Sequence, residues 1–150
     1  MGKEPKLMPT AYFLILLVLS IAFHFIFPIK KIIYLPYNLF GIILIIFGSI
    51  INIWTDSLLK RHETTVKPHK APKALIIKGP FLISRHPMYL GMLAVLLGIA
   101  ILLGSLITFI FPVIFVILME ILFIKMEERI LESEFRDKYR EYKKKVRRWI

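Results

Sequence analysis

Cysteine is absent from the 150 residues. That excludes disulfides, thiolate metal sites and thiol nucleophiles. Acidic residues are scarce, with 10 Asp+Glu against 21 Lys+Arg, a formal charge of +11. The long apolar runs carry almost no charge, and the basic residues gather between and after them. That arrangement suits the anionic face of a membrane better than a nucleic acid, so no nucleic-acid partner is expected. A cleavage site is also lacking: His24, Phe25, Phe27 and Pro28 stand where small residues would follow a secretory leader, so the first apolar run reads as a retained helix.

What is present is hydrophobic. The share is 57%, against roughly 45–50% in ordinary soluble domains, and mean hydropathy is +0.70. The fold expected is an all-α integral membrane protein with about four transmembrane helices and a C-terminal amphipathic cytoplasmic helix. The spans run from Thr10 to Phe27, Asn38 to Leu59, Met88 to Leu103 and Leu106 to Ile124, with a tail helix over 125–147, all in one domain covering 1–150. Pro112 is expected to kink the fourth span. Lys60 to Arg85 holds seven Lys or Arg and the tail ten, whereas the turn at Gly104-Ser105 holds none. Four crossings put both termini and the long middle loop on one side, and the positive-inside bias makes that side cytoplasmic.

In the tail, Ile124, Leu131, Phe135, Tyr139, Tyr142, Val146 and Trp149 form one helical stripe, which either lies on the membrane surface or packs on the middle loop. Pro87 suits the first turn of the third span. Arg85 and His86 then stand just outside the helix and Tyr89 in its first turn. The open N–H groups there suit an anionic group such as an amino-acid carboxylate; the simpler reading is an interfacial anchor. Gly91, Ala94 and Gly98 make a small-residue face for helix packing or, less simply, room for a flat ligand.

Glu127 and Glu128 open the tail helix, and Glu128 falls within its apolar stripe. A carboxylate there needs a partner: a sulfonium or ammonium ligand, or else Arg85 or Lys125. Glu120 lies inside the fourth span, where an acid costs at least ~2.5 kcal/mol, so a functional role is expected. Ser49, Asn52 and Asp56 form a polar stripe on the second span, with interhelical hydrogen bonds as the simpler use. His24 reads as interfacial, and His62, Glu63 and His69 lack ligand spacing, so no metal is expected.

Several motifs together resemble the isoprenylcysteine carboxyl methyltransferase family and its phospholipid N-methyltransferase relatives. They are Thr64-Thr65-Val66-Lys67-Pro68, Leu75 to Phe81, Ser84 to Gly91, Glu127 to Leu131, Phe135, Tyr139, Tyr142, and Val146 to Trp149. The resemblance covers roughly Arg61 to Ile150. It implies an S-adenosylmethionine-dependent methyltransferase without a Rossmann domain, its cofactor in a cytoplasmic pocket closed by the middle loop and the tail. By the same resemblance Leu75, Ile76, Phe81, His86, Pro87, Met88, Tyr89 and Glu127 line that pocket. A lipid or lipidated acceptor enters from the bilayer, best matched by a prenylcysteine-like carboxylate, with a phospholipid or other amine as the alternative.

Glu128, Arg85 and Lys125 are the candidate catalytic residues, and Glu120, Asn52 and Arg129 the candidate acceptor contacts. Phe123 stands where prenylcysteine enzymes often carry an arginine, so Lys125 or Arg129 would have to substitute. Arg136 replaces the glycine usual after the tail Phe, and Glu63 replaces a common glycine before Thr64. A reading of another class, a non-catalytic membrane protein or transporter, rests on Glu120 and the polar stripe of the second span.

Overall fold

The computed structural model describes residues 7–27, 29–62 and 72–150. The Thr64 to Pro68 motif, Glu63, His69 and Pro28 lie outside them. Helix α1 spans Pro9–Ile26, α2 Phe40–Arg61, α3 Pro87–Leu103, α4 Ile110–Met119 and α5 Lys125–Lys145. Among the described residues there is no strand, only an isolated bridge between Lys31 and Ser105. The fold is that of an all-α membrane protein. Three helical stretches are long and apolar enough to cross a bilayer: Pro9–Ile26, Tyr37–Arg61 and Leu106–Lys145. The fourth, α3, has 17 residues, about 26 Å at ~1.5 Å per residue.

Helix ends follow local chemistry. Prolines open α1 and α3, where a missing N–H costs nothing. Gly104, at φ +70°, closes α3 in the left-handed conformation that a side chain disfavours. Lys60 and Arg61 fill the last turn of α2, where cations complement the helix dipole.

The fourth span and the tail helix are not separate, as expected, but one helical run from Leu106 to Lys145. Pro112 does not mark its irregularity. It sits in the first turn of α4, directly after the 3-10 turn Leu106–Phe109, near a helix start, where proline is tolerated. The run instead widens into a π turn over Glu120–Ile124 and breaks at Arg136, whose φ/ψ is 43°/−115°.

Helix α3 is the hub, packing on α2 along one side and on α1 and α4 along the other. Gly41 and Gly48 of α2 meet Gly98 and Gly91 of α3, and a Cβ on any of the four would collide with the opposite helix. The small-residue face therefore serves helix packing, bringing backbone onto backbone. On the other side, rings interlock edge to face: Phe13 with Phe115, Phe23 with Phe111 and Tyr12 with Phe123. Phe115, Met119, Phe123, Ile124 and Leu96 are fully buried there.

The polar stripe of α2 comes apart. Ser49 bonds its own helix at Ile45 and Asp56 pairs with Lys60, and Asn52 lies against Gly91. At one end of the bundle His24 bonds Ser105 at 2.6 Å, and Gly104 accepts from Ile32. The start of α1, the end of α2, the segment 72–86 and α5 gather at the other end.

Candidate active site

That second end contains a cavity of about 380 Å³, within the ~300–1,000 Å³ range of small-molecule sites. One wall is the segment leading into α3. The 3-10 turn Gly79–Leu82 begins with Gly79 at φ +56°, seated against the Trp54 indole, so neither its conformation nor its space accepts a side chain readily. This turn sets Phe81 toward the tail helix, where Tyr142 Oη donates to the Phe81 carbonyl at 2.6 Å. Leu75, Phe81, Leu131 and Phe135 then pack round Tyr139, Tyr142 and Val146. Of the two placements open to the amphipathic tail helix, it takes the one against the middle loop.

All eight residues expected to hold a cofactor line this one cavity: Leu75, Ile76, Phe81, His86, Pro87, Met88, Tyr89 and Glu127. Arg85 lines it too. Tyr89 donates its hydroxyl to Glu127 Oε1 at 2.5 Å, and His86 Nδ1 lies 3.2 Å from Glu127 Oε2. The His86 and Tyr89 rings stack with 5.7 Å between centroids. The His86 N–H donates to Ser84 Oγ at 3.1 Å, and that hydroxyl donates to the Arg148 carbonyl at 2.9 Å.

Behind this wall lies an ionic layer. Glu128 is buried and takes Arg85 Nη2 at 3.0 Å and Arg148 at 3.0 and 2.6 Å. His86 Nε2 stands 3.6 Å from Glu128, beyond hydrogen-bond length but close in charge. Burial alone would lower the His86 pKa, but the two carboxylates outweigh it and raise it above its ordinary value. Burial would likewise raise Glu128. The facing His86, the Arg148 fork and the Arg85 charge overcome that and hold its carboxyl at about 2.

The remaining expected residues sit elsewhere. Glu128 touches the cavity residues Arg85 and His86 from behind without lining the space. Lys125 and Arg129 are exposed and outside the cavity, because they fall off the buried stripe of α5. Glu120 pairs with Arg148 at the π turn rather than lining the cavity, and shares that guanidinium with Glu128. Asn52 lies at the α2–α3 contact outside the cavity, its buried Oδ1 without a hydrogen-bond partner among the described residues. Phe123, at the position where the resemblance has an arginine, is fully buried between Tyr12 and Tyr89.

Residues that the sequence did not assign to the site also contribute: Met8 to Thr10 at the start of α1, Thr55 and Leu59 of α2 and Ile130 and Leu131 of α5 line the cavity, and the Arg148 side chain backs it. Arg148 did leave a signal, as a cation two residues after Val146 and one before Trp149, both on the apolar stripe. Among the described residues no three His, Asp or Glu side chains gather as a metal site would need.

The residues present fit S-adenosylmethionine. The cavity is mostly apolar, as a flat heterocycle requires, and one carboxylate, Glu127, faces into it, as a cationic centre requires. The profile of a family described as phospholipid methyltransferase matches residues 37–138, covering α2, the cavity wall, α3, α4 and most of α5. No curated protein and no solved structure matches the chain.

Proposed function

The chain belongs to the phospholipid methyltransferase family, and from that premise we propose that it moves a methyl group from S-adenosylmethionine to a lipid-like acceptor embedded in the membrane. The observation that carries this reading is the convergence of Leu75, Ile76, Phe81, Tyr89 and Glu127 on one cavity. When bound, the cofactor supplies a methyl carbon on a positively charged sulfur, open to in-line displacement. Leu75, Ile76 and Phe81 offer apolar surface to its ring system, and the Glu127 carboxylate, held by Tyr89 and His86, faces its positive charge. Alignment does most of the work in such a displacement. The start of α3 and the tail helix fix that alignment by clamping the cavity from two sides.

The acceptor group proposed is a carboxylate on a prenylcysteine-like chain. Arg85 lines the cavity, and its Nε and Nη1 are buried without a partner among the described residues, so two donors are left for an oxyanion. A carboxylate already carries the attacking electron pair, so no base is needed. Transfer of the methyl group to it would give a neutral ester and leave a neutral thioether, and a dry site would favour that cancellation of charge. Glu128 then works as a permanent anion that orients Arg85.

A second reading, methylation of a phospholipid amine, is favoured by the family match. It needs a base to take the ammonium proton, and a carboxyl held at about 2 is a weak one. We place the cavity, both termini and the tail helix on the cytoplasmic side, from the distribution of Lys and Arg, and read 1–150 as a single membrane domain.

Reconstituted protein given methyl-labelled cofactor, with a prenylcysteine analogue or phosphatidylethanolamine in the bilayer, tests the proposal. Label in the lipid fraction that mild base releases as methanol is the expected result. Base-stable label assigns an N-methyl product instead, and no label in any lipid refutes both readings.

A further inference from the structure

We propose that Arg148 is a positioning residue, which fixes the Glu128–Arg85 pair at the acceptor side of the cavity without touching the cavity itself. This rests on the methyltransferase reading above. Arg148 presents Nε and Nη2 as a fork to the two oxygens of Glu128, at 3.0 and 2.6 Å, and its Nη1 pairs with Glu120. Such a two-point grip fixes a carboxylate in orientation as well as position, which a single ammonium does not.

The chain is built to bring these groups together. In a regular helix Glu120 and Glu128 would lie about 80° apart, at ~100° per residue. The π turn at Glu120–Ile124 winds less per residue and draws the two acids toward one face, where a single guanidinium spans both. The backbone repeats the tie: Ser84 Oγ donates to the Arg148 carbonyl and the Arg85 N–H to the Arg147 carbonyl, at 2.9 and 3.1 Å. Two successive residues of the tail therefore hold the segment that carries Arg85 and His86.

The consequence is directional. Glu128 faces Arg85 and His86 from the loop, Arg148 from the tail and Tyr139 from its own helix. Without Arg148 it keeps only Arg85 and His86 as cationic partners among the described residues and loses the two-point grip that fixes its orientation. Leu75, Ile76, Phe81, Tyr89 and Glu127 have no bond to Arg148, so the cofactor wall stays in place while the acceptor side loosens.

The test compares wild type, Arg148→Ala, Arg148→Lys and Glu120→Gln in lipid nanodiscs. It reads S-adenosylhomocysteine affinity by calorimetry, kcat with a prenylcysteine analogue and with phosphatidylethanolamine, and the pH profile. For Arg148→Ala we expect S-adenosylhomocysteine affinity within threefold of wild type and kcat lower by tenfold or more. A new loss of activity should appear on the acid side as Glu128 returns toward its ordinary range. Arg148→Lys should recover part of kcat, and Glu120→Gln should give a smaller loss of the same kind.

An unchanged kcat and pH profile in Arg148→Ala would overturn the inference. So would a parallel fall of affinity, kcat and thermal stability with no recovery by lysine, the mark of a merely structural residue. If the alanine variant does not fold, Arg148→Lys decides: lowered kcat with intact affinity supports the inference, and wild-type kcat refutes it. A wild-type protein that neither binds S-adenosylhomocysteine nor methylates either lipid removes the methyltransferase reading itself.

Discussion

The two faces that α3 offers its neighbours are held by opposite physics. Along its length, Gly91 and Gly98 press against Gly48 and Gly41 of α2, a contact with no charge in it and no room for a methyl group. At its first turn, Tyr89 and the preceding Arg85 and His86 are bound to Glu127 and Glu128 through charge and directed hydrogen bonds. The first contact is sensitive to volume and indifferent to pH. The second is sensitive to charge, and its groups are the ones that line or back the cavity. A membrane scaffold made of close backbone contacts can thus carry a small ionic site at its rim.

The comparison can be broken most strongly at its charged end. Glu127→Gln keeps the shape and removes the anion facing the cavity. At ~1.5–3 kcal/mol for a hydrogen bond to a charged group, methyl-transfer turnover should fall about 10- to 100-fold, with a fall of a few degrees in the thermal midpoint from the weakened Tyr89 and His86 contacts. At the close-packed end, Gly48→Leu should do the reverse. Overpacking of ~1–3 kcal/mol should lower the thermal midpoint in detergent, and the protein that remains folded should keep its affinity for S-adenosylhomocysteine.

A smaller effect follows from His86. Its pKa is raised in the folded protein, so its stabilising contribution is complete below the ordinary value of 6.5 and is lost as pH climbs through the raised one. Each tenfold gain in proton affinity on folding contributes ~1.4 kcal/mol. Thermal midpoints measured from pH 6 upward should fall in wild type and fall less in His86→Gln. The smallest expected change is a gain. Arg136 holds φ +43°, a region that costs a side chain roughly 1–3 kcal/mol, so Arg136→Gly should raise the midpoint by a few degrees.

Much of this plan was legible in the residues. Pro87 and Gly104 punctuate α3 where the structure places its ends, because those residues have strong local preferences. The cavity wall was legible through its motifs, whose order along the chain matches the two walls of the cavity. What the sequence did not disclose is what depends on long-range partners. Glu120 read as an unpaired intramembrane acid because its cation, Arg148, lies 28 residues later. Lys125 and Arg129 were close in sequence to Glu128 and yet are exposed, since they fall off the buried stripe of α5. The unbroken run from α4 into α5 was hidden too: a change from apolar to charged composition looked like a boundary between helices. At Arg136 the replaced glycine was the visible trace of a backbone break that no periodicity reveals.

Calorimetric titration of the purified protein with S-adenosylhomocysteine, beside Tyr89→Ala, tests most directly whether the loop wall and the acid pair enclose one cofactor site. The account predicts saturable 1:1 binding by wild type that weakens at least tenfold in the variant. No heat of binding at millimolar ligand, or equal affinity in the two proteins, would contradict it.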